Sequence, residues 1–122
     1  MNKKQELRIY LMDEISKLEK ERGYRMTMTE FATLIDTPLR TVTRMFDPDD
    51  DRVPIEAHAA KIAIAFYSNR VMRILGYKDV DPMYLKFKKA YDRLPTDNDR
   101  IEILDDMEAR VKEEGTIQPA II

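Results

Sequence analysis

The chain of 122 residues contains no cysteine, no tryptophan and a single histidine, His58. Without cysteine it can form no disulfide and can carry out no thiolate chemistry. One histidine and two serines, Ser16 and Ser68, provide no pairing of a nucleophile with its base, and no glycine-rich phosphate loop is present. We therefore expect a protein that is not an enzyme and that uses no cofactor.

Glycine, strand-like alternation and long apolar runs are also scarce. The chain has three glycines, 43% hydrophobic residues and 36% charged residues. This composition predicts an all-α fold with enough apolar surface for one small core. No N-terminal apolar run is long enough for a signal peptide or a membrane span, so we expect a cytoplasmic protein without membrane contact.

Charge is distributed unevenly along the chain, whose net charge is -2. Residues 1–46 carry nine basic and seven acidic side chains, and residues 55–77 carry three and one. Residues 47–54 carry one basic and four acidic side chains, and residues 78–122 carry eight and eleven. Residues 1–46 are mildly basic, as phosphate binding requires, but they lack the strongly basic patch of a non-specific DNA-binding protein. Affinity for a nucleic acid would depend on specific contacts or on dimerisation.

Residues 27–46 predict two short helices with a sharp break between them. Thr27 is placed as the N-cap of the first helix, and Glu30 can complete a capping box three residues later. The apolar face of this helix is predicted to consist of Phe31, Leu34 and Ile35.

The break is the segment Asp36-Thr37-Pro38. Pro38 cannot continue the first helix but is suited to the start of a second, with Thr37 as its cap. In the second helix the inward-facing residues are predicted to be Val42, Met45 and Phe46. The outer face then consists of Leu39, Arg40, Thr43, Arg44 and Asp47. Two arginines one turn apart on this face are suited to a nucleic-acid groove.

This pattern resembles the lambda-repressor-like (Cro or xenobiotic-response-element type) family of helix-turn-helix DNA-binding proteins. The residues that carry the resemblance are Phe31, Ala32 and Ile35 in the first helix, Asp36 in the turn, and Val42 and Met45 in the second helix. A leading amphipathic helix over 7–22 and the later IEAHAAKIAIAF and VMRILGY segments extend the similarity to about residues 5–77. The resemblance implies a five-helix DNA-binding domain over residues 1–77.

The resemblance also implies a function, a transcriptional regulator of phage-repressor type that occupies an operator in double-stranded DNA. The second helix would enter the major groove, where the base-reading residues would be Leu39, Arg40, Thr43 and Arg44. Arg25 and Thr27 would contact the DNA backbone. The alternative is a diverged protein-interaction module without DNA binding, such as an antitoxin or a regulatory partner. Nothing in the sequence indicates a small-molecule ligand.

The loop after the second helix is acidic, with four aspartates, Asp47, Asp49, Asp50 and Asp51, against Arg52. Such a loop would repel phosphates if it lay near the DNA backbone. Its spacing does not match a calcium loop, because Arg52 occupies the position of the turn glycine and Glu56 comes too early. His58 has no cysteine or second histidine with which to share a metal. We therefore expect a solvated loop and no metal site.

Residues 78–115 predict a helical hairpin. Asp81-Pro82 can begin its first helix, Pro95 can close it, and Thr96 can cap the second, which Gly115 is expected to end. The two apolar stripes are Tyr84, Phe87, Tyr91 and Leu94, followed by Ile101, Leu104, Met107 and Val111. They can pack on the preceding domain or form a homodimer, and both roles can hold together. Residues 116–122 are expected to be a disordered tail, or a segment that lies in a groove on a partner.

Overall fold

The computed structural model describes the backbone of residues 1–121 and the side chains of residues 1–113. Within this part every regular element is an α-helix, which confirms the all-α prediction. The helices are α1 (Lys3–Arg22), α2 (Met28–Leu34), α3 (Leu39–Phe46), α4 (Glu56–Phe66), α5 (Arg70–Leu75), α6 (Pro82–Asp92) and α7 (Asp97–Ile121). None of the described helices is long and apolar enough to cross a membrane. The chain divides into two compact units, Met1–Lys86 and Phe87–Ile122.

The first helix begins earlier than the predicted start at Leu7, because its first turn is capped by polar side chains. The Asn2 side chain accepts from the backbone N–H of Gln5 at 2.9 Å, and the Gln5 side chain accepts from the backbone N–H of Asn2 at 3.0 Å. This reciprocal capping box satisfies two N–H groups that a helix start leaves unpaired. Helix α1 ends at Gly23, whose φ of 81° is the left-handed conformation that glycine adopts without steric cost.

The hydrophobic core of the first unit is formed by five helices and is centred on Phe31. The Phe31 ring meets the ring of Phe46 edge to face at a centroid distance of 5.8 Å and stacks on the ring of Phe66 at 6.2 Å. Thus one side chain of α2 contacts both α3 and α4. The other buried apolar side chains are Leu7, Tyr10, Leu11, Ile15, Ala32, Ile35, Val42, Met45, Ala59, Ile62, Ala63, Val71, Met72 and Leu75.

The prediction that Leu34 lies on the core side of α2 is wrong. Phe31 and Ile35 are buried, as expected, but Leu34 is 43% exposed. The buried side of this seven-residue helix carries Phe31 and Ala32, and Ile35 follows one turn after Phe31. Leu34 is displaced from that side by a fraction of a turn, and so it lies at the rim of the core.

The segment that follows α5 is held within the first unit by side-chain hydrogen bonds. The amide of Asn69 both donates to the carbonyl of Val80 and accepts from its N–H, each at 2.8 Å. The Tyr77 hydroxyl donates to the carbonyl of Pro54 at 2.8 Å. Val80 and Tyr77 also pack against the core, so ordered structure continues beyond Tyr77.

The caps predicted for α6 and α7 are present. Asp81 accepts from the N–H of Tyr84 at 3.0 Å, and the Thr96 hydroxyl accepts from the N–H of Asp99 at 3.2 Å. The predicted helix end at Gly115 is wrong, because the backbone of α7 continues to Ile121. A glycine inside a helix costs only about 1 kcal/mol, which does not by itself terminate the helix. For the predicted tail 116–122, the side chains and all of Ile122 lie outside the described residues.

Candidate nucleic-acid interface

The start of α2 is held by the predicted capping box. The Thr27 hydroxyl accepts from the backbone N–H of Glu30 at 3.1 Å, and the Glu30 carboxylate accepts from the backbone N–H of Thr27 at 3.2 Å. Arg22 at the end of α1 donates to the same carboxylate at 2.7 Å. Arg22 and the Thr27 N–H stabilise the charged form of Glu30, which lowers the pKa of Glu30 from 4.5 to about 2.

This lowered pKa predicts a pH dependence of folding. Because the folded-state pKa of Glu30 lies below its unfolded value, its contribution to stability is complete above about pH 4.5 and is lost as the pH falls towards 2. We expect the difference in unfolding free energy between the parent and Glu30→Gln to shrink over this window in denaturation experiments. Glu21→Gln, on the exposed surface of α1, makes the same change away from this capping box and is the control. A pH-independent difference for Glu30→Gln would contradict the prediction.

The turn between α2 and α3 depends on a left-handed residue. Asp36 has a φ of 50°, a conformation that a short polar side chain adopts at modest cost. The Asp36 carbonyl accepts from the ammonium of Lys61 at 2.8 Å. The prediction that Thr37 caps α3 is wrong. Thr37 is buried, and its hydroxyl donates backwards to the carbonyl of Ile35 at 3.0 Å, so it stabilises the turn.

The outer face of α3 carries the residues predicted to read bases. Leu39 is 46% exposed, Arg40 and Thr43 are exposed, and Arg44 is half-buried. The Thr43 hydroxyl donates to the carbonyl of Leu39 at 2.9 Å, which leaves its oxygen able to accept a further hydrogen bond. Val42 and Met45 are buried on the opposite face. The predicted division of α3 into an inner and an outer face is confirmed.

Within the described residues, the guanidinium groups of Arg40 and Arg44 make no hydrogen bond or ion pair. Most other arginines of the chain do have an acidic partner. The ion pairs are Arg22 with Glu30, Arg52 with Asp50, Arg73 with Asp79, Arg100 with Asp97 and Arg110 with Asp106. The two arginines of α3 therefore keep their hydrogen-bond donors and their positive charge available to a ligand.

The two residues predicted to contact a DNA backbone differ in availability. Arg25 is exposed, its side chain has no partner among the described residues, and its carbonyl accepts from Arg22. Thr27 is exposed, but its hydroxyl also donates to the Glu30 carboxylate at 3.2 Å. Arg25 can bind a phosphate without losing any contact, whereas Thr27 would have to give up one of its capping bonds.

The acidic loop is less uniform in charge than its sequence indicates. The Asp50 carboxylate accepts from Arg52 Nη2 at 2.6 Å and from Arg52 Nε at 3.0 Å, which lowers the pKa of Asp50. Asp47 accepts from the N–H of Asp49 at 2.9 Å. Asp49 and Asp51 have no side-chain hydrogen bond or ion pair among the described residues. In the part of the chain that the structure describes, only Asp50 of this loop is paired with a cation, so Asp47, Asp49 and Asp51 are the carboxylates that would repel a nearby phosphate.

A cavity of about 250 Å³ lies beside this loop, between α3 and the first turn of α4. Its lining includes Arg44, Arg52 and His58, and its other walls are mostly apolar. His58 is half-buried, and its Nδ1 atom is buried without a hydrogen-bond partner among the described residues. Among the described residues, no group of three or more histidine, aspartate or glutamate side chains is arranged to hold a metal ion.

Sequence reasoning missed two cations on α1. The ammonium of Lys4 is buried and contacts the C-terminal end of α3, and Arg8 donates to the carbonyl of Phe46 at 3.0 Å. The signal was the position of Lys4, three residues before Leu7 and seven before Leu11. That spacing places Lys4 on the buried face of α1.

Comparison of the chain with protein-family models, with curated proteins and with solved structures yields no match. The function is therefore inferred from the geometry of α2 and α3 and from the charges around them.

Proposed function

We propose that this protein is a sequence-specific DNA-binding transcriptional regulator of phage-repressor type that acts by occupying its operator. Helices α2 and α3 act as a helix-turn-helix within a five-helix lambda-repressor-like domain. The observation that carries the proposal is the pair of unneutralised guanidinium groups, Arg40 and Arg44, one turn apart on the outer face of α3. An arginine fork can donate two hydrogen bonds to the guanine edge in the major groove.

Each residue of the outer face has a role in this mechanism. Arg40 and Arg44 read guanine, Leu39 packs against a thymine methyl group, and the Thr43 hydroxyl oxygen accepts from a base. Arg25 contacts the backbone and sets the register, and Thr27 contributes chiefly by holding the start of α2. Specificity then comes from α3, whereas most of the salt-dependent affinity comes from phosphate contacts.

Selection of bound sequences from a random duplex library tests the proposal. Enrichment of a motif, with guanines at fixed positions, is the expected result. A chain that binds all duplexes equally, or none, would contradict the proposal.

The second candidate function is a protein-interaction module without DNA binding. The net charge of -2 and the unpaired carboxylates of Asp49 and Asp51 favour it, because acidic surfaces are repelled by phosphate. Retention on heparin or on random duplex DNA at low salt separates the two candidates. A DNA-binding protein is retained and is released as salt rises, whereas the protein-interaction module passes through.

If the loop lies near the DNA backbone, the double change Asp49→Asn and Asp51→Asn should tighten DNA binding at low salt. We expect a gain of about 2- to 30-fold, as for two exposed charges that interact by ~0.2 to 1 kcal/mol each, and a smaller gain as salt rises. Asp50 is left in place because it holds Arg52. Asp106→Asn, which removes one exposed carboxylate from α7, is the control. Unchanged affinity at low salt would mean that the loop points away from DNA.

We further propose that the protein binds DNA as a homodimer. One recognition helix reads only a few base pairs, and paired half-sites ~34 Å apart are the usual solution for a helix-turn-helix protein. The apolar stripe on α7 supports a two-fold contact, with Leu104, Met107 and Val111 at 41%, 45% and 69% exposure. On α6, Tyr84 is exposed and Phe87 and Tyr91 are half-buried, with their rings 5.5 Å apart. Leu94, which follows the end of α6, is also half-buried.

Sedimentation tests the homodimer. We expect a dimer for the full chain at tens of micromolar and a monomer for the double variant Leu104→Glu and Met107→Glu, because burying two carboxylates in an apolar contact is unfavourable. Ala109→Glu adds one carboxylate to α7 outside the stripe and should remain dimeric. A monomeric parent chain would contradict the prediction.

A further inference from the structure

The ammonium of Lys4 belongs to the first turn of α1, yet it is buried against the end of α3. Lys4 is 5% exposed. Its Nζ atom donates to the carbonyl oxygens of Arg44 at 2.6 Å, Asp50 at 2.5 Å and Arg52 at 3.4 Å. A buried lysine charge is costly unless hydrogen bonds replace the lost water, and here three carbonyl oxygens do so.

Arg8, one turn further along α1, contacts the same end of α3. Its Nε atom donates to the carbonyl of Phe46, the last residue of that helix, at 3.0 Å. The C-terminal carbonyls of a helix have few partners of their own and carry the negative end of its dipole. Two positively charged side chains from α1 donate to two of these carbonyls. Lys4 also donates to two carbonyls of the following loop.

These contacts constrain the direction of the outer face of α3. Lys4 binds the backbone carbonyl of Arg44, while the guanidinium of Arg44 remains unpaired. Rotation or tilt of α3 would therefore break the hydrogen bonds of Lys4 and Arg8. Hydrogen bonds to base edges tolerate only small displacements, whereas phosphate contacts without sequence preference tolerate larger ones.

From this arrangement we infer that Lys4 is a positioning residue for DNA recognition. It fixes the rotation of α3 so that Arg40 and Arg44 reach the bases, although Lys4 itself touches no DNA. Arg8 assists it. The inference rests on the proposed function, and it assigns part of the sequence discrimination to a side chain outside the recognition helix.

The test compares Lys4→Met with the parent as full-length chains at one salt concentration. Methionine keeps the unbranched shape and removes the ammonium. Affinity is measured for the selected site and for a random duplex of equal length. We expect affinity for the selected site to fall by about tenfold or more and affinity for the random duplex to change by less than about twofold. Lys17→Met removes the same charge from the exposed side of α1, where Lys17 forms ion pairs with Asp13 and Glu14, and should change neither affinity.

The ratio of the two affinities distinguishes positioning from a merely structural role. Loss of folded protein lowers both affinities equally and leaves the ratio unchanged. If Lys4→Met does not fold, Arg8→Met, which loses a single hydrogen bond, carries the test with an expected fall in the ratio of about threefold. Faster amide hydrogen exchange in residues 47–52 of the variant should accompany the fall, because Lys4 no longer holds the loop.

The outcomes separate this inference from the function on which it rests. A parent chain that does not discriminate between duplexes overturns the proposed function and the role of Lys4 with it. A parent chain that discriminates, together with folded variants that keep its affinity ratio, overturns the role of Lys4 alone.

Discussion

The single variants Arg40→Ala and Arg44→Ala should each weaken binding to the selected DNA site by about 1 to 3 kcal/mol, the usual value of a bidentate contact with a base. Each loss corresponds to about 5- to 150-fold in affinity. Stability should hardly change, because neither guanidinium has a partner within the described residues. Titration of labelled duplexes measures the affinity, and thermal unfolding verifies the fold.

Lysine variants distinguish base reading from phosphate binding. Arg40→Lys and Arg44→Lys keep the positive charge but lose the planar fork. If the arginines read guanine, the lysine variants lose affinity for the selected site and keep it for random duplexes. If they only bind phosphate, lysine restores most of the affinity. Arg93→Ala, at an exposed position between α6 and α7, removes the same charge and should leave discrimination intact. Parent-like binding by all four variants at Arg40 and Arg44 would show that the recognition face is wrongly assigned.

The largest expected effect on stability is at Phe31. Its fully buried ring contacts the rings of Phe46 and Phe66, and so it joins α2 to α3 and α4. Phe31→Ala should lower the free energy of unfolding by about 3 to 5 kcal/mol, through lost transfer free energy and a cavity that the surrounding helices cannot fill. Chemical denaturation measures this loss.

A matched control lies three residues away on the same helix. Leu34 is 43% exposed, so Leu34→Ala should cost about 1 kcal/mol or less, near the range of surface substitutions. The pair also tests where the core ends. Equal losses at Phe31 and Leu34 would mean that the whole stripe predicted from sequence spacing is buried, contrary to the packing described above.

The sequence by itself determined features that depend on residues a few positions apart. The capping box of Thr27 and Glu30 and the cap at Thr96 both follow from side chains within three residues of the backbone groups that they serve. Helical periodicity likewise separated the inner residues of α3 from Arg40 and Arg44. Such interactions form within one element or turn, and so local spacing predicts them.

Tertiary structure alone decided which charges remain available. The carbonyls bound by Lys4 lie 40, 46 and 48 residues along the chain, a separation at which spacing carries no information about contact. Tertiary packing also left Leu34 at the rim of the core and turned the Thr37 hydroxyl back towards α2. The spacing of apolar residues in the sequence shows which side of a helix is apolar. The partner that covers that side, and the cations that cap the end of α3, depend on how α1 packs against α3.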